Sequence, residues 1–239
     1  MTRLILIVVT LIVLAISCAA FAQQQSNLPV PAREPEVRAP AAAPLLWRED
    51  WKVVPGLPTE HPLTQAGVGN ANLEVRLYGV DGKDIQENGT GAANSPMHLW
   101  TGLCENPCAA TLRDKNNYAD LTGGAKIRWN IKVSGFHKAQ PFIKLLDGTY
   151  LVGDHGDGTV SDYHVYEFSF SDARWIKVDP NKVWTRGNLL DKDKVDLSKV
   201  DEIGFAELYP GSGHGDGGYL DIGWIEVYGK AVKREGARQ

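Results

Sequence analysis

Apolar and polar residues alternate with a period of two in segment after segment between Trp47 and Gly229. From Ala125 to Val133, the residues Ile127, Trp129, Ile131 and Val133 alternate with Lys126, Arg128, Asn130 and Lys132. That is the pattern of a strand with one face buried and the other wet. Leu73, Val75 and Leu77 alternate with Glu74, Arg76 and Tyr78 in the same way. The runs Pro141 to Leu146 and Thr149 to Val152 flank Asp147-Gly148, a two-residue hairpin signal. Further strands are expected at Met97 to Leu103, His164 to Phe170, Val200 to Leu208 and Tyr219 to Tyr228. No segment sustains an apolar 3.6 period over three turns, and Leu189 to Lys199 holds a short helical turn at most. Many strands at short spacing, joined by Gly and Asp turns, predict an all-β fold: a two-sheet antiparallel β-sandwich or jelly roll.

The pattern is different at both ends. Met-Thr-Arg precedes the apolar run Leu4 to Ile16, and Ala20-Phe21-Ala22 precedes three glutamines, which reads as a signal peptide over residues 1–22 cleaved after Ala22. As a helix the run spans only ~20 Å, short of a ~30 Å hydrocarbon core, so no membrane span is expected. A second reading makes Cys18 the lipid-modified N-terminus of a lipoprotein, although Ala15 stands where Leu is usual. Residues 23–45 hold five prolines and no hydrophobic period, as in a disordered tether. The domain is expected over 46–230, followed by a disordered tail at 231–239. The whole reads as a secreted or periplasmic monomer.

Losing residues 1–22 removes Arg3 and no acid, so the formal charge moves from −4 to −5. Lys and Arg cluster only in the tail from Lys230 to Arg238, and nucleic-acid binding, which needs a concentrated positive footprint, is excluded. Cys104 and Cys108 remain after processing. An extended four-residue step would hold them ~13 Å apart, but the turn signal Asn106-Pro107 brings them within disulfide reach. A metal site would need two more soft ligands close in sequence, and none is there.

Two segments go beyond generic strand pattern. Asp196-Leu197-Ser198-Lys199-Val200-Asp201-Glu202-Ile203-Gly204-Phe205 and Tyr219-Leu220-Asp221-Ile222-Gly223-Trp224-Ile225-Glu226-Val227-Tyr228-Gly229 together resemble the closing strands of galactose-binding-like β-sandwiches. That family includes many carbohydrate-binding modules of secreted bacterial polysaccharide-degrading systems, so the resemblance implies a carbohydrate ligand and no catalytic cofactor. It also implies a structural calcium, for which Glu49, Asp50 and Asp221 sit at matching places.

The tetrapeptide His-Gly-Asp-Gly occurs twice, at His155 to Gly158 and His214 to Gly217. Glycines free the backbone there, and His155, Asp157, His214 and Asp216 are candidate ligand contacts; ordinary Gly-Asp turns are the alternative. If Arg174 to Val178 is a full crossing strand, the two loops lie at opposite ends; if it is a side excursion, they lie together, which is the expectation. Of seven tryptophans, Trp129 is in phase with a core face, whereas Trp100, Trp175 and Trp184 are candidate platforms for sugar rings.

Two enzyme classes compete with binding. A glycoside hydrolase presents two carboxylates across the scissile bond, and Asp221 and Glu226, five apart, fall on opposite faces of a regular strand. A polysaccharide lyase needs a base and a cation, which Tyr163, His164, Tyr166 and Arg128 would supply; the alternative is that His164, Tyr166, Phe168 and Phe170 form one strand face. No Gly-x-Ser-x-Gly elbow, phosphate loop or dinucleotide fingerprint occurs. The leading function is non-catalytic carbohydrate binding, with a polysaccharide-active enzyme second and a structural or partner-binding sandwich third.

Overall fold

The computed structural model describes residues 42–135, 137–209 and 218–235. Sixteen strands lie among them: β1 (Leu45–Glu49), β2 (His61–Pro62), β3 (Leu73–Tyr78), β4 (Gln86–Asn88), β5 (His98–Trp100), β6 (Cys108–Asp114), β7 (Asn117–Asp120) and β8 (Lys126–Gly135) come first. They are followed by β9 (Ala139–Leu145), β10 (Tyr150–Gly153), β11 (Val160–Ser169), β12 (Trp175–Asp179), β13 (Trp184–Leu190), β14 (Val200–Glu207), β15 (Gly218–Tyr228) and β16 (Lys230–Lys233). A seven-stranded sheet runs β11-β8-β15-β5-β4-β2, with β1 also on β15. A nine-stranded sheet runs β13-β12-β10-β9-β14-β6-β3, with β7 and β16 attached through β14. All pairings are antiparallel. The expected β-sandwich is the observed fold.

Alternation explains the core. Ile127, Trp129, Ile131 and Val133 of β8 are buried with Leu220, Ile222, Ile225 and Val227 of β15, and they meet Ile143, Leu151 and Phe205 from the other sheet. The described residues contain no α-helix; the helical signal in Leu189 to Lys199 resolves into the end of β13 and a single 3-10 turn at Lys192–Lys194. Leu145 N–H donates to the Thr149 carbonyl at 2.9 Å, so the hairpin loop between β9 and β10 is the three residues Leu146 to Gly148, not two. Gly148 N–H donates to the Leu145 carbonyl at 3.0 Å, and Gly148 takes φ +84°, the left-handed position that ends a three-residue hairpin loop.

The segment Arg174 to Val178 does fall in a strand, β12 (Trp175–Asp179), but β13 follows and restores the chain direction. Because β10 and β14 both pair antiparallel with β9, they run parallel to each other. The connections after Gly153 and after Glu207 therefore leave the sheet at the same end. His214 and Asp216 lie outside the described residues, as do Cys18, the leader and the tether as far as residue 41.

The expected boundaries shift at both ends. Leu45, assigned to the tether, begins β1 against Tyr228. The tail is ordered through Arg234: β16 pairs with β7, and the buried Arg234 guanidinium donates to the Asp114 carbonyl at 2.8 Å and pairs with Asp201. The tail reads as solvated because its basic residues carry no apolar period; their partners come from strands more than thirty residues away.

Candidate ligand cleft on the outer sheet face

The candidate site lies on the outer face of the seven-stranded sheet, built on β8 and β15. The outward residues of β8 are Lys126, Arg128, Asn130 and Lys132, and opposite them on β15 stand Tyr228, Glu226, Trp224 and Asp221. The register slips between Ile222 and Trp224, so Gly223 is an extra residue without a partner on β8. Such a bulge reverses the side-chain phase beyond it. It overturns the expectation for a regular strand: Asp221 and Glu226 share the outer face, and Trp224, between them, joins it.

Ion pairs flank this centre. Glu226 accepts from Arg48 at 2.6 Å, from Arg128 at 3.1 Å and from the Tyr228 hydroxyl at 2.9 Å. Asp221 has Lys132 Nζ at 3.5 Å and His98 Nε2 at 3.8 Å, and it also accepts from Tyr163. Burial pushes the Asp221 carboxyl above its ordinary value, and the charges of His98 and Lys132 pull it part of the way back. The Arg48 guanidinium rests on the Trp224 ring, 4.4 Å from its centroid, which fixes the ring's orientation.

Between the two pairs opens a cleft of 670 Å³, floored by Asn130, Gly223 and Trp224 and walled by Tyr163, Met97 and the segment from Asp50 to Val53. The wall is held by Glu49, which faces inward. Its carboxylate accepts from the backbone N–H of Trp51 at 2.8 Å, Gly69 at 2.6 Å and Asn70 at 2.9 Å. Trp51 turns the chain with φ +52°, and its indole N–H donates to the Ile222 carbonyl at 3.0 Å, beside the bulge. Those bonds offset the left-handed strain at Trp51 and leave Lys52 exposed at the cleft.

The sequence-predicted residues distribute as follows. Trp175 is not a platform: it is buried in the core, stacked on Phe170 at 6.4 Å. Trp184 is exposed on β13, under Lys182 at 4.9 Å, on the other sheet. Trp100 is half-buried on β5 and meets Tyr219 edge to face. In the first His-Gly-Asp-Gly loop, His155 Nδ1 lies 2.9 Å from Asp154 and its ring stacks on Phe168. The buried Asp157 has His164 Nε2 at 2.7 Å, and its backbone bridges Ala139. These are contacts that close the loop onto the sandwich, not onto the cleft.

The lyase set does not converge. Tyr163 and Arg128 face outward, while His164 and Tyr166 pair with Ile131 and Trp129 on the inward side of β11. The calcium triad is also not assembled. Glu49 is spent on three backbone donors, Asp50 is bound by Arg48 at 2.6 and 2.9 Å, and Asp221 lies on the opposite face from Glu49. Among the described residues no group of three or more His, Cys, Asp or Glu side chains is placed to hold a metal, so these residues do not fit a calcium ion. Cys104 and Cys108 do form the expected disulfide, with Cα atoms 6.4 Å apart.

Trp224 and Lys52 are the residues that sequence reasoning missed. The signal for Trp224 was the phase slip from Leu220 and Ile222 to Ile225 and Val227; Lys52 had none, since the Glu49 and Trp51 contacts that place it are long-range.

Solved structures similar to this chain include the family 11 carbohydrate-binding module of the cellulosomal cellulase Lic26A-Cel5E of Clostridium thermocellum, at 14% identity and TM-score 0.42, covering 80% of this chain and 97% of the module. A family 11 module from the same organism in complex with a beta-1,3-1,4-mixed-linked tetrasaccharide matches at 15% identity and TM-score 0.35, covering 78% and 98%. An exo-beta-agarase matches at 10% identity and TM-score 0.37 over 73% of this chain, which spans only 25% of the agarase. At these values no ligand is carried over to this chain. No protein-family model and no curated protein matches it.

Proposed function

We propose that this is a secreted, non-catalytic carbohydrate-binding domain that seats a glycan in the cleft over Asn130 and Trp224. The observation that carries this reading is the aromatic ring set by the Gly223 bulge into an open cleft of 670 Å³ lined by both polar and apolar groups, within the ~300–1,000 Å³ range of small-ligand sites. The C–H face of a sugar stacks on an indole, and ring hydroxyls take hydrogen bonds from the side chains around it. The secretion half of the proposal rests on the leader pattern in residues 1–22.

Carboxylate spacing favours binding over hydrolysis. Asp221 pairs with Lys132 and Glu226 with Arg128, four strand positions apart and hence ~13 Å along the sheet. Hydrolases need roughly 5–9.5 Å between the two carboxyl groups. Moreover, Glu226 is enclosed by two guanidinium groups and a phenol. A glycan array on the protein, read together with product analysis, tests the proposal: retention of one glycan class without new reducing or unsaturated ends is the expected result, and turnover would replace it with the enzyme reading.

A further inference from the structure

The outer sheet face shows a charge pattern with a gap. Along β8 and β15, Lys132 faces Asp221 and Arg128 faces Glu226, but between them Asn130 faces Trp224 and no carboxylate is present. Each carboxylate around the cleft is already matched. Asp221 has Lys132, Glu226 has Arg48 and Arg128, Glu167 has Lys126 at 2.9 Å, and Asp50 at the rim has Arg48. Lys52, which lines the same cleft, has no side-chain ion-pair or hydrogen-bond partner among the described residues. The Asn130 amide and the Trp224 indole N–H likewise have no hydrogen-bond partner there. The unspent groups are therefore mostly donors, one of them a cation, grouped around the gap. Neutral sugars offer hydroxyls that both donate and accept, whereas a sugar carboxylate only accepts.

We propose that the cleft selects acidic glycans, with a uronate carboxylate received by Lys52 Nζ and the Asn130 side-chain amide while its ring lies on Trp224. The inference rests on the carbohydrate-binding reading and narrows it to a substrate class. A carboxylate in this position continues the row of alternating charge pairs on the sheet, and it neutralises the one ammonium at the cleft that lacks a partner among the described residues. A charge-assisted contact of this kind, partly screened at an open cleft, corresponds to about a fivefold preference and weakens with added salt.

The test is calorimetric titration of the protein with hexasaccharides of galacturonate, mannuronate and glucuronate. Each is paired with its carboxyl-reduced form, and neutral hexasaccharides of glucose, xylose and galactose are run beside them. At least one acidic hexasaccharide is expected to bind about fivefold or more tightly than its reduced form. Lys52→Gln is expected to remove that difference and Lys52→Arg to retain it, with the melting temperature unchanged in both because Lys52 is exposed. Equal affinity for acidic and reduced forms, or binding of neutral glycans alone, overturns the inference and leaves the carbohydrate reading standing. An acid preference that survives Lys52→Gln overturns the assigned contact. Absence of binding to every glycan overturns the carbohydrate reading and this inference with it.

Discussion

Trp224 on β15 stands directly opposite Asn130 on β8, one position beyond the extra residue Gly223. The bulge, not a loop, delivers the aromatic ring to the surface. Trp224→Ala is therefore expected to weaken glycan binding about tenfold or more, equivalent to ~1.4 kcal/mol or more, while the melting temperature moves little, because the ring is only half-buried. Trp184→Ala, on the other sheet, is the control and should leave affinity unchanged. The reverse result would move the platform to β13.

Asp157 and His164 give a second expectation. The Asp157 carboxylate is buried, 2.7 Å from His164 Nε2, and ties the first His-Gly-Asp-Gly loop to its neighbouring strand. Asp157→Ala is expected to cost about 1–3 kcal/mol in urea unfolding, the penalty of removing one partner of a largely buried polar contact. Glycan affinity of the folded variant should not change. Lost affinity at full stability would show that the loop, not the cleft, holds the ligand.

Legibility followed burial. β3 and β8 are legible because apolar and polar residues alternate along them; β14, buried everywhere but at Asp201, and β15, whose phase slips at Gly223, are legible through their resemblance to the closing strands of galactose-binding-like sandwiches instead. β6 is not legible, because its first five residues, Cys108 to Leu112, are all buried and no polar face marks the period. β13 was lost for the opposite reason: every residue from Trp184 to Leu189 is exposed, so its apolar content follows no phase. At the site, Asp221 is a candidate from the sequence, but its sharing a face with Glu226 follows only once the extra residue Gly223 is counted. Trp175 was misjudged because its cover, Phe170, comes from the end of the preceding strand. Composition indicates how many tryptophans a chain carries; which of them face water depends on contacts between distant segments.

The Cys104–Cys108 disulfide closes a very short loop, so the chain-entropy argument gives about 2 kcal/mol. The same loop is also held by the buried Asp81 carboxylate, which accepts from the N–H of Glu105 at 2.8 Å and of Asn106 at 2.6 Å. Replacing both cysteines with Ser is expected to lower stability by no more than about 2 kcal/mol and to leave the β-sheet circular dichroism intact. Unfolding of the double variant would make the staple a framework element.

Glu87 on β4 and His61 on β2 stand opposite each other, and both are buried. The Glu87 carboxylate is fully enclosed and packs so tightly on Gly67 that no Cβ fits there. His61 Nδ1 lies 2.9 Å from the Pro58 carbonyl, and Nε2 lies 3.2 Å from Glu87 Oε2. Because a carbonyl only accepts, Nδ1 carries a proton, and Nε2 stands close enough to the Glu87 carboxyl to share one more with it. Burial pushes the Glu87 carboxyl above its ordinary value, against the pull of His61. An acid whose folded pKa is raised keeps its full contribution to stability below the unfolded value, about 4.3, and loses it as pH rises through the folded value. Asp157 and Asp221 are shifted the same way by burial. Asp154 and Asp201, lowered by Arg174 and Arg234 respectively, contribute with the opposite sign, and that contribution is lost as pH falls. The urea midpoint is therefore expected to decline as pH rises above about 4. Glu87→Gln should flatten part of that decline, since an amide does not titrate and its N–H can donate to an unprotonated Nε2. Stability curves of the native protein and Glu87→Gln that run parallel from pH ~4 to ~7 would show that the pair does not hold the shared proton.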